Sequence, residues 1–309
     1  MKNSNKKINP KSQSIRHRLE FKIFNYLKKW GVKASKKQLE NGSIFLFSLL
    51  YGLRICRKIV EINLKIAFPE LKKNERKKIL RSNYKWFARF CIDLLNMDAW
   101  KGRTSEITIF KNLKTLDEAL KKKQGVLLVS GHFGNWEIIP AALAELGYPI
   151  TMYVGRQTNP LTNELQNFSR SNFGIETIDK GKKATLQMGR ALAANKIIAM
   201  LVDQNDNKSD LFVTFFSKLA SSSKGTAAFH LLRKSPVVLV TCPYVDDHYE
   251  ISFRKINFEL SGENENDIQI ISQEITSALE NVIKKFPEQY FWMHRRWRAR
   301  PPDDSISIY

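Results

Sequence analysis

Cysteine is scarce in this chain: Cys56, Cys91 and Cys242 stand far apart and none belongs to a CxxC pair. That excludes a disulfide scaffold and a zinc knuckle, and nothing in the cysteine usage demands an oxidising compartment. Histidine is almost as sparse. His17, His132, His230, His248 and His294 form no His-Glu-x-x-His or other ligand cluster, so no metal site is expected. A Gly-x-Ser-x-Gly elbow, a Walker A loop and a Gly-x-Gly-x-x-Gly fingerprint are all missing, which leaves serine hydrolysis and nucleotide cofactors without support. No bound cofactor is expected. Long apolar runs are missing too. The best, Ile44 to Leu53, falls short of the roughly 20 residues that a membrane-spanning helix needs, and fits an interfacial or hairpin segment better. The first twenty residues have no apolar centre, so no cleavable signal peptide is expected.

Acidic residues are in short supply, and unevenly so. Of the net charge of +21 over 309 residues, residues 1–100 hold 24 Lys/Arg against 7 Asp/Glu, a net +17. The rest is close to balanced. A basic segment beside a balanced one implies an anionic partner: nucleic acid, anionic lipid headgroups or an acidic protein. Residues 1–14, rich in Asn, Ser and Lys, read as disordered. Residues 15–39 then place Leu19, Ile23, Tyr26, Leu27 and Trp30 at helical spacing among lysines and arginines. That is the composition of a membrane-surface helix, and equally of a helix packed on a domain with a solvated basic face. The adjoining Ile44–Leu53 run favours the membrane. Further helices are expected over 54–68, stopped by Pro69, and over 73–97. The chain therefore divides into a basic, helical, membrane-associating region at 1–100 and an α/β domain at 101–309.

From residue 111 the pattern changes to alternating helices and short apolar runs. Strands are expected at 126–129, 149–154, 197–202, 237–240 and 249–258, with helices at 111–123, 135–144, 160–173, 183–194, 226–234 and 266–285. This rhythm predicts an α/β fold with a mixed, mostly parallel central sheet flanked by helices. In such sheets ligands bind beyond the carboxyl ends of the strands. Two polar clusters follow apolar strands directly: Ser130-Gly131-His132-Phe133-Gly134-Asn135-Trp136-Glu137 and Asp203-Gln204-Asn205.

His132 and Glu137 are five residues apart, about 140° around a continuous helix, so they could not pair on one. With His132 in the turn and Glu137 in the first helical turn, the chain bends and the two can meet. A carboxylate on one imidazole nitrogen fixes the tautomer and leaves the other nitrogen as a general base. The plainer reading is a turn histidine beside a surface glutamate. Asp203 is expected to hold a substrate hydroxyl or organise Arg156, or else to serve as a turn residue. His230 lies in an apolar helical context and reads as core.

His-x-x-x-x-Glu after an apolar strand resembles the His-x4-Asp/Glu signature of glycerolipid acyltransferases. The longer string from Gly131 to Glu137 resembles the branch that makes lipid A, the late lauroyl/myristoyl acyltransferases. Two more strings resemble the same family in the same order: Asn63-Leu64-x-x-Ala67-Phe68-Pro69-Glu70-Leu71, and Pro287-Glu288-Gln289-Tyr290-Phe291-Trp292-Met293-His294-Arg295-Arg296-Trp297. Phe215-Phe216 and Lys224-Gly225 match a further segment, with Ser217 where a glycine is usual. The resemblance implies an acyltransferase that moves a fatty acyl chain from acyl carrier protein to a hydroxyl of a Kdo-bearing lipid A precursor, at the cytoplasmic face of the inner membrane. His132 and Glu137 are then the catalytic residues, and Asn135, Arg156, Asp203 and Gln204 bind substrate. Arg156, or main-chain N–H groups near Gly134 and Asn135, would stabilise the oxyanion. Arg295 and Arg296 would contact acceptor phosphates. The alternatives are the same chemistry on another membrane glycolipid and, from a different class, a membrane-peripheral nucleic-acid-binding protein using the basic arm and the Arg/Trp tail. On the enzyme reading no nucleic acid is expected as a partner.

Overall fold

The computed structural model describes residues 14–304 and 306–309. The segment read as disordered lies outside them apart from Ser14. The described residues begin with two helices, α1 (Ile15–Lys33) and α2 (Lys36–Gly52), where a single helix over 15–39 was expected. The break has a local cause. Ser35 and Gln38 form a reciprocal capping box, Gln38 N–H donating to Ser35 Oγ at 3.3 Å and Ser35 N–H to Gln38 Oε1 at 2.8 Å. None of the described helices is long and apolar enough to cross a membrane.

Two more helices follow, α3 (Arg57–Ala67) and α4 (Lys73–Asn96), with Pro69 between them as expected. The amino-terminal helices are docked on the body. Gly31 of α1 lies against α4 so closely that a Cβ there would sit 2.8 Å from the Leu95 carbonyl carbon. Lys28, 9% exposed, pairs with Asp98 at 3.2 Å. No core boundary falls at residue 100: Trp86, Phe90 and Met97 share one hydrophobic cluster with sheet residues such as Val126, Leu128 and Val240.

The α/β part runs β1 (Thr108–Lys111), α5 (Lys114–Leu120), β2 (Val126–Ser130), α6 (Ile138–Glu145), β3 (Ile150–Val154), α7 (Pro160–Asn172), β4 (Glu176–Asp179), α8 (Ala184–Ala193) and β5 (Ile197–Leu201). A hairpin of β6 (Phe212–Phe215) and β7 (Lys218–Ser221) precedes α9 (Gly225–Arg233), β8 (Val237–Thr241), β9 (Tyr244–Val245), β10 (His248–Lys255) and α10 (Asn264–Lys285). The main sheet has the order β1-β10-β8-β2-β5-β3-β4, with β9 paired to β10. Its pairings are parallel except where β10 meets β8 and β9. A mixed, mainly parallel sheet with flanking helices is thus what forms.

The central strand β2 shows why. Its sequence Val-Leu-Leu-Val-Ser is buried throughout, as a strand covered on both faces must be. Val126 and Leu128 point into the cluster with α4 and α6, while Leu127 and Val129 point into the cluster with α8, α9 and α10. Each leucine so buried contributes about 2 kcal/mol. A third cluster joins α3, α4, α10 and the β6–β7 hairpin to the carboxyl-terminal tail through Val60, Leu64, Tyr84, Phe215, Leu279, Trp292 and Trp297.

Candidate active site

Strands β2 and β5 are parallel neighbours with Ser130 opposite Leu201. Their carboxyl ends therefore finish level, and the second residue beyond each end, His132 and Asp203, falls side by side. Asp203 Oδ1 lies 2.8 Å from His132 Nδ1, and Asp203 Oδ2 accepts the His132 main-chain N–H at 2.9 Å. The carboxylate thus grips both the ring and the backbone of one residue. Its side chain is 4% exposed, whereas the imidazole is 17% exposed. The ring is reachable from solvent and its carboxylate is not.

Burial alone would raise the Asp203 pKa. The His132 ring, the two hydrogen bonds from His132 and the buried Arg296 guanidinium more than reverse this and hold it at about 2. An ionised Asp203 accepts a hydrogen bond from Nδ1–H, so in the neutral ring Nε2 carries the lone pair. Gln204 Nε2 stands 3.1 Å from that atom. Trp136 packs edge-on to His132 with ring centroids 5.0 Å apart, and behind it lies Phe90 at 4.0 Å. Phe291 faces both His132 and Trp136.

Glu137 is not the imidazole's carboxylate. It binds Arg170 of α7, with Nη2 donating to Oε1 at 2.8 Å and Nε to Oε2 at 3.3 Å. Both side chains are nearly buried, at 13% and 11% exposed. Glu137 stands at the N-cap position of α6, and its bidentate partner, which sequence reading missed, holds it turned away from Nδ1.

The turn between them depends on one glycine. Gly134 has φ +60°, and a Cβ there would fall 1.9 Å from the Cys242 carbonyl oxygen. Only glycine lets the turn close on the end of β8. The two N–H groups expected to face an oxyanion are already committed: Gly134 donates to Gln289 O at 2.9 Å and Asn135 to Cys242 O at 2.9 Å. The Asn135 side chain, also buried, accepts the Ile138 N–H at 3.2 Å and caps α6. Arg156, expected at the site, is 74% exposed and pairs with Asp179 at 3.1 Å. Asp203 therefore organises His132, and not Arg156. Among the described residues no cluster of three or more His, Cys, Asp or Glu could hold a metal.

The tail is a packed corner. Trp292, Trp297 and Arg296 are 1%, 0% and 2% exposed. Arg296 donates to Ser221 O and lies over the Phe215 ring, so it reaches no acceptor phosphate, whereas Arg295 is exposed. Tryptophans so buried offer no stacking platform for single-stranded nucleic acid.

The family model for bacterial lipid A biosynthesis acyltransferases matches residues 47–299. The chain belongs to that family. It is an O-acyltransferase. It is 26% identical over 277 residues to a lipid A biosynthesis acyltransferase of Haemophilus influenzae, covering 88% of this chain and 87% of the relative. A lipid A biosynthesis lauroyltransferase of Escherichia coli is 26% identical over 250 residues, 79% of each chain. A palmitoleoyltransferase of lipid A biosynthesis from the same organism is 24% identical over 256 residues, 81% of each. Family membership gives the nucleic-acid alternative no support.

Proposed function

We propose that this enzyme transfers a fatty acyl chain from an acyl carrier protein thioester to a hydroxyl of a Kdo-bearing lipid A precursor, with His132 as general base. The observation that carries this reading is the reachable Nε2 of an imidazole whose Nδ1 is bonded to a buried carboxylate. The names of the relatives supply the acceptor class. Exposed Gln204 supports this reading, because its amide lies 3.1 Å from the Nε2 that the acceptor hydroxyl would approach.

In the reaction Nε2 removes the hydroxyl proton while Asp203 stabilises the resulting imidazolium through Nδ1–H. The alkoxide oxygen bonds to the thioester carbonyl carbon. The tetrahedral oxyanion then collapses, the carbon–sulfur bond breaks, and the departing thiolate takes the proton back from Nε2. The products are the ester and the free thiol of the carrier, so no covalent acyl-enzyme and no cofactor is required. Trp136, backed by buried Phe90, and Phe291 give the acyl chain an apolar surface beside the base. Glu137 and Arg170 act as one unit that fixes the start of α6 against α7.

Membrane contact falls to α1 and α2. Ile15, Leu19, Ile23 and Tyr26 of α1, and Ile44, Phe45 and Leu49 of α2, are all exposed, and lysines and arginines flank them. Apolar side chains among cations match the interface of an anionic bilayer, here the cytoplasmic face of the inner membrane.

The test is acyl transfer from acyl carrier protein to the purified precursor. His132→Ala is expected to lower the rate roughly 10³-fold or more with folding and vesicle binding retained. Retention of most activity would remove His132 as base. Another glycolipid acceptor would show itself by mass analysis of lipids from cells lacking the protein.

A further inference from the structure

The loop after β5 is tied at every residue. Asp203 and Gln204 both reach the His132 ring. Asn205 reaches the other way, to the carboxyl-terminal tail: its main-chain N–H donates to His294 Nε2 at 3.0 Å, and its Oδ1 accepts the Ala299 N–H at 2.8 Å. The tail in turn binds the turn after β2, where Phe291 N–H donates to His132 O at 2.9 Å and Gly134 N–H to Gln289 O at 2.9 Å. One segment, 289–299, therefore hydrogen-bonds the loops at both strand ends.

That segment is anchored from outside the α/β part. Asn63 of α3, 1% exposed, donates to Trp292 O at 2.8 Å and to His294 O at 2.7 Å. Asn83 of α4, 2% exposed, donates to Glu288 O at 2.7 Å and to Tyr290 O at 2.7 Å. A pair of buried amides, each spanning two carbonyls, leaves the tail little freedom.

Within it, His294 makes the one side-chain contact to the loop that depends on a lone pair. Its Nε2 accepts from Asn205 only when that nitrogen carries no proton; a protonated ring would set N–H against N–H. The surroundings favour the neutral form: burial, with the nearby Arg296 and His132, outweighs the pull of Asp203 and lowers the His294 pKa to about 4.

We propose that His294 is a positioning residue for acyl transfer, its Nε2 holding Asn205 so that Asp203 and Gln204 stay registered on the His132 ring. This rests on His132 being the base. His294 touches no reacting atom. A ring displaced by about 1 Å costs on the order of 10²-fold in rate, which makes the hold measurable.

The experiment compares His294→Leu with His294→Gln in the full-length enzyme. Glutamine keeps an acceptor oxygen and leucine has none. The expected result is a kcat lowered roughly 10- to 100-fold in H294L, with KM for the acyl donor and the melting temperature close to the parent, and recovery to within about 5-fold in H294Q. Proton NMR gives a readout independent of turnover. The downfield Nδ1–H resonance of His132, identified by its loss in His132→Ala, is expected to persist in H294Q and to shift or broaden in H294L. An unchanged kcat in H294L overturns the proposal, as does an unchanged resonance there, or equal damage by both substitutions. Should His132→Ala stay active, the base assignment fails, and the resonance still reports separately whether His294 holds the loop.

Discussion

Two carboxylates flank one turn, and they are held in opposite ways. Glu137 lies five residues from His132 in a contiguous motif, yet its oxygens go to Arg170. Asp203 lies 71 residues away, yet takes both the ring and the backbone N–H of His132. Proximity along the chain placed Glu137 at the mouth of α6, where the helix N-terminus and a guanidinium compete for it. Parallel register placed Asp203 level with His132. The neighbouring strand, rather than spacing within the motif, decides the partner of the His132 ring.

The contrast breaks most sharply by exchanging one carboxylate at a time for its amide. Asp203→Asn keeps the shape and removes the charge that fixes the tautomer, so kcat for acyl transfer is expected to fall roughly 10³- to 10⁴-fold. Glu137→Gln leaves the His132–Asp203 pair intact and strands the Arg170 charge, so its main cost is stability, about 3 kcal/mol in urea unfolding, with a smaller loss of rate. The reverse ranking of the two rate losses would return Glu137 to the imidazole.

Next in size is the turn itself. At Gly134 an added methyl meets main-chain atoms on one side, with Cys242 C at 2.4 Å and Pro243 N at 2.9 Å, in a backbone conformation that disfavours any side chain. Gly134→Ala is expected to cost about 3 kcal/mol or more and to weaken the Asn135 bond to Cys242. A variant as stable as the parent would show that the turn is free to relax.

Much of this was legible from residues alone. The α/β rhythm and the burial of β2 followed from apolar runs of strand length, and both strand-end clusters stood out as polar breaks after them. Four things were not legible. Sheet order was not, because nothing local in these runs states that the strands are neighbours, and the expected ends at 129 and 202 give unequal offsets, whereas the observed ends at 130 and 201 set His132 and Asp203 level. Arg170 was hidden in a polar helix as one cation among many. The commitments of the Gly134 and Asn135 N–H groups depend on Gln289 and Cys242, distant in sequence. Short elements such as β1, β4 and the β6–β7 hairpin escaped because four residues carry too little periodicity to separate strand from loop.

The strap across the two strand ends carries its own pH signature. His294 has a pKa lowered from 6.5 to about 4, first by burial. The unfolded chain therefore takes up a proton below about 6.5 that the folded chain refuses until about 4, so stability is full above that window and declines as pH falls through it. The decline from about pH 7 to about pH 5 should approach 2 kcal/mol in urea unfolding. His294→Gln removes that slope. Asp203, held at about 2 against an ordinary 3.8, loses its contribution only as pH falls through the lower window, so the two groups separate. A slope unchanged in H294Q would assign the decline to another group.

The smallest effect sharpens the comparison from its far side. Arg156 follows β3, just as His132 and Asp203 follow β2 and β5, and its position after a strand end alone makes it a candidate for the oxyanion. Its guanidinium is 74% exposed, and it pairs at 3.1 Å with Asp179 at the end of β4, a strand at the sheet's edge. An ion pair so exposed is worth well under about 1 kcal/mol, and β3 is separated from β2 by β5. Arg156→Ala is accordingly expected to leave kcat within about 2-fold, whereas removing a true oxyanion donor costs about 10²-fold or more. A loss of that larger size would mean that the acceptor draws the β3 loop inward on binding, and that the strand ends contributing to the reaction number three.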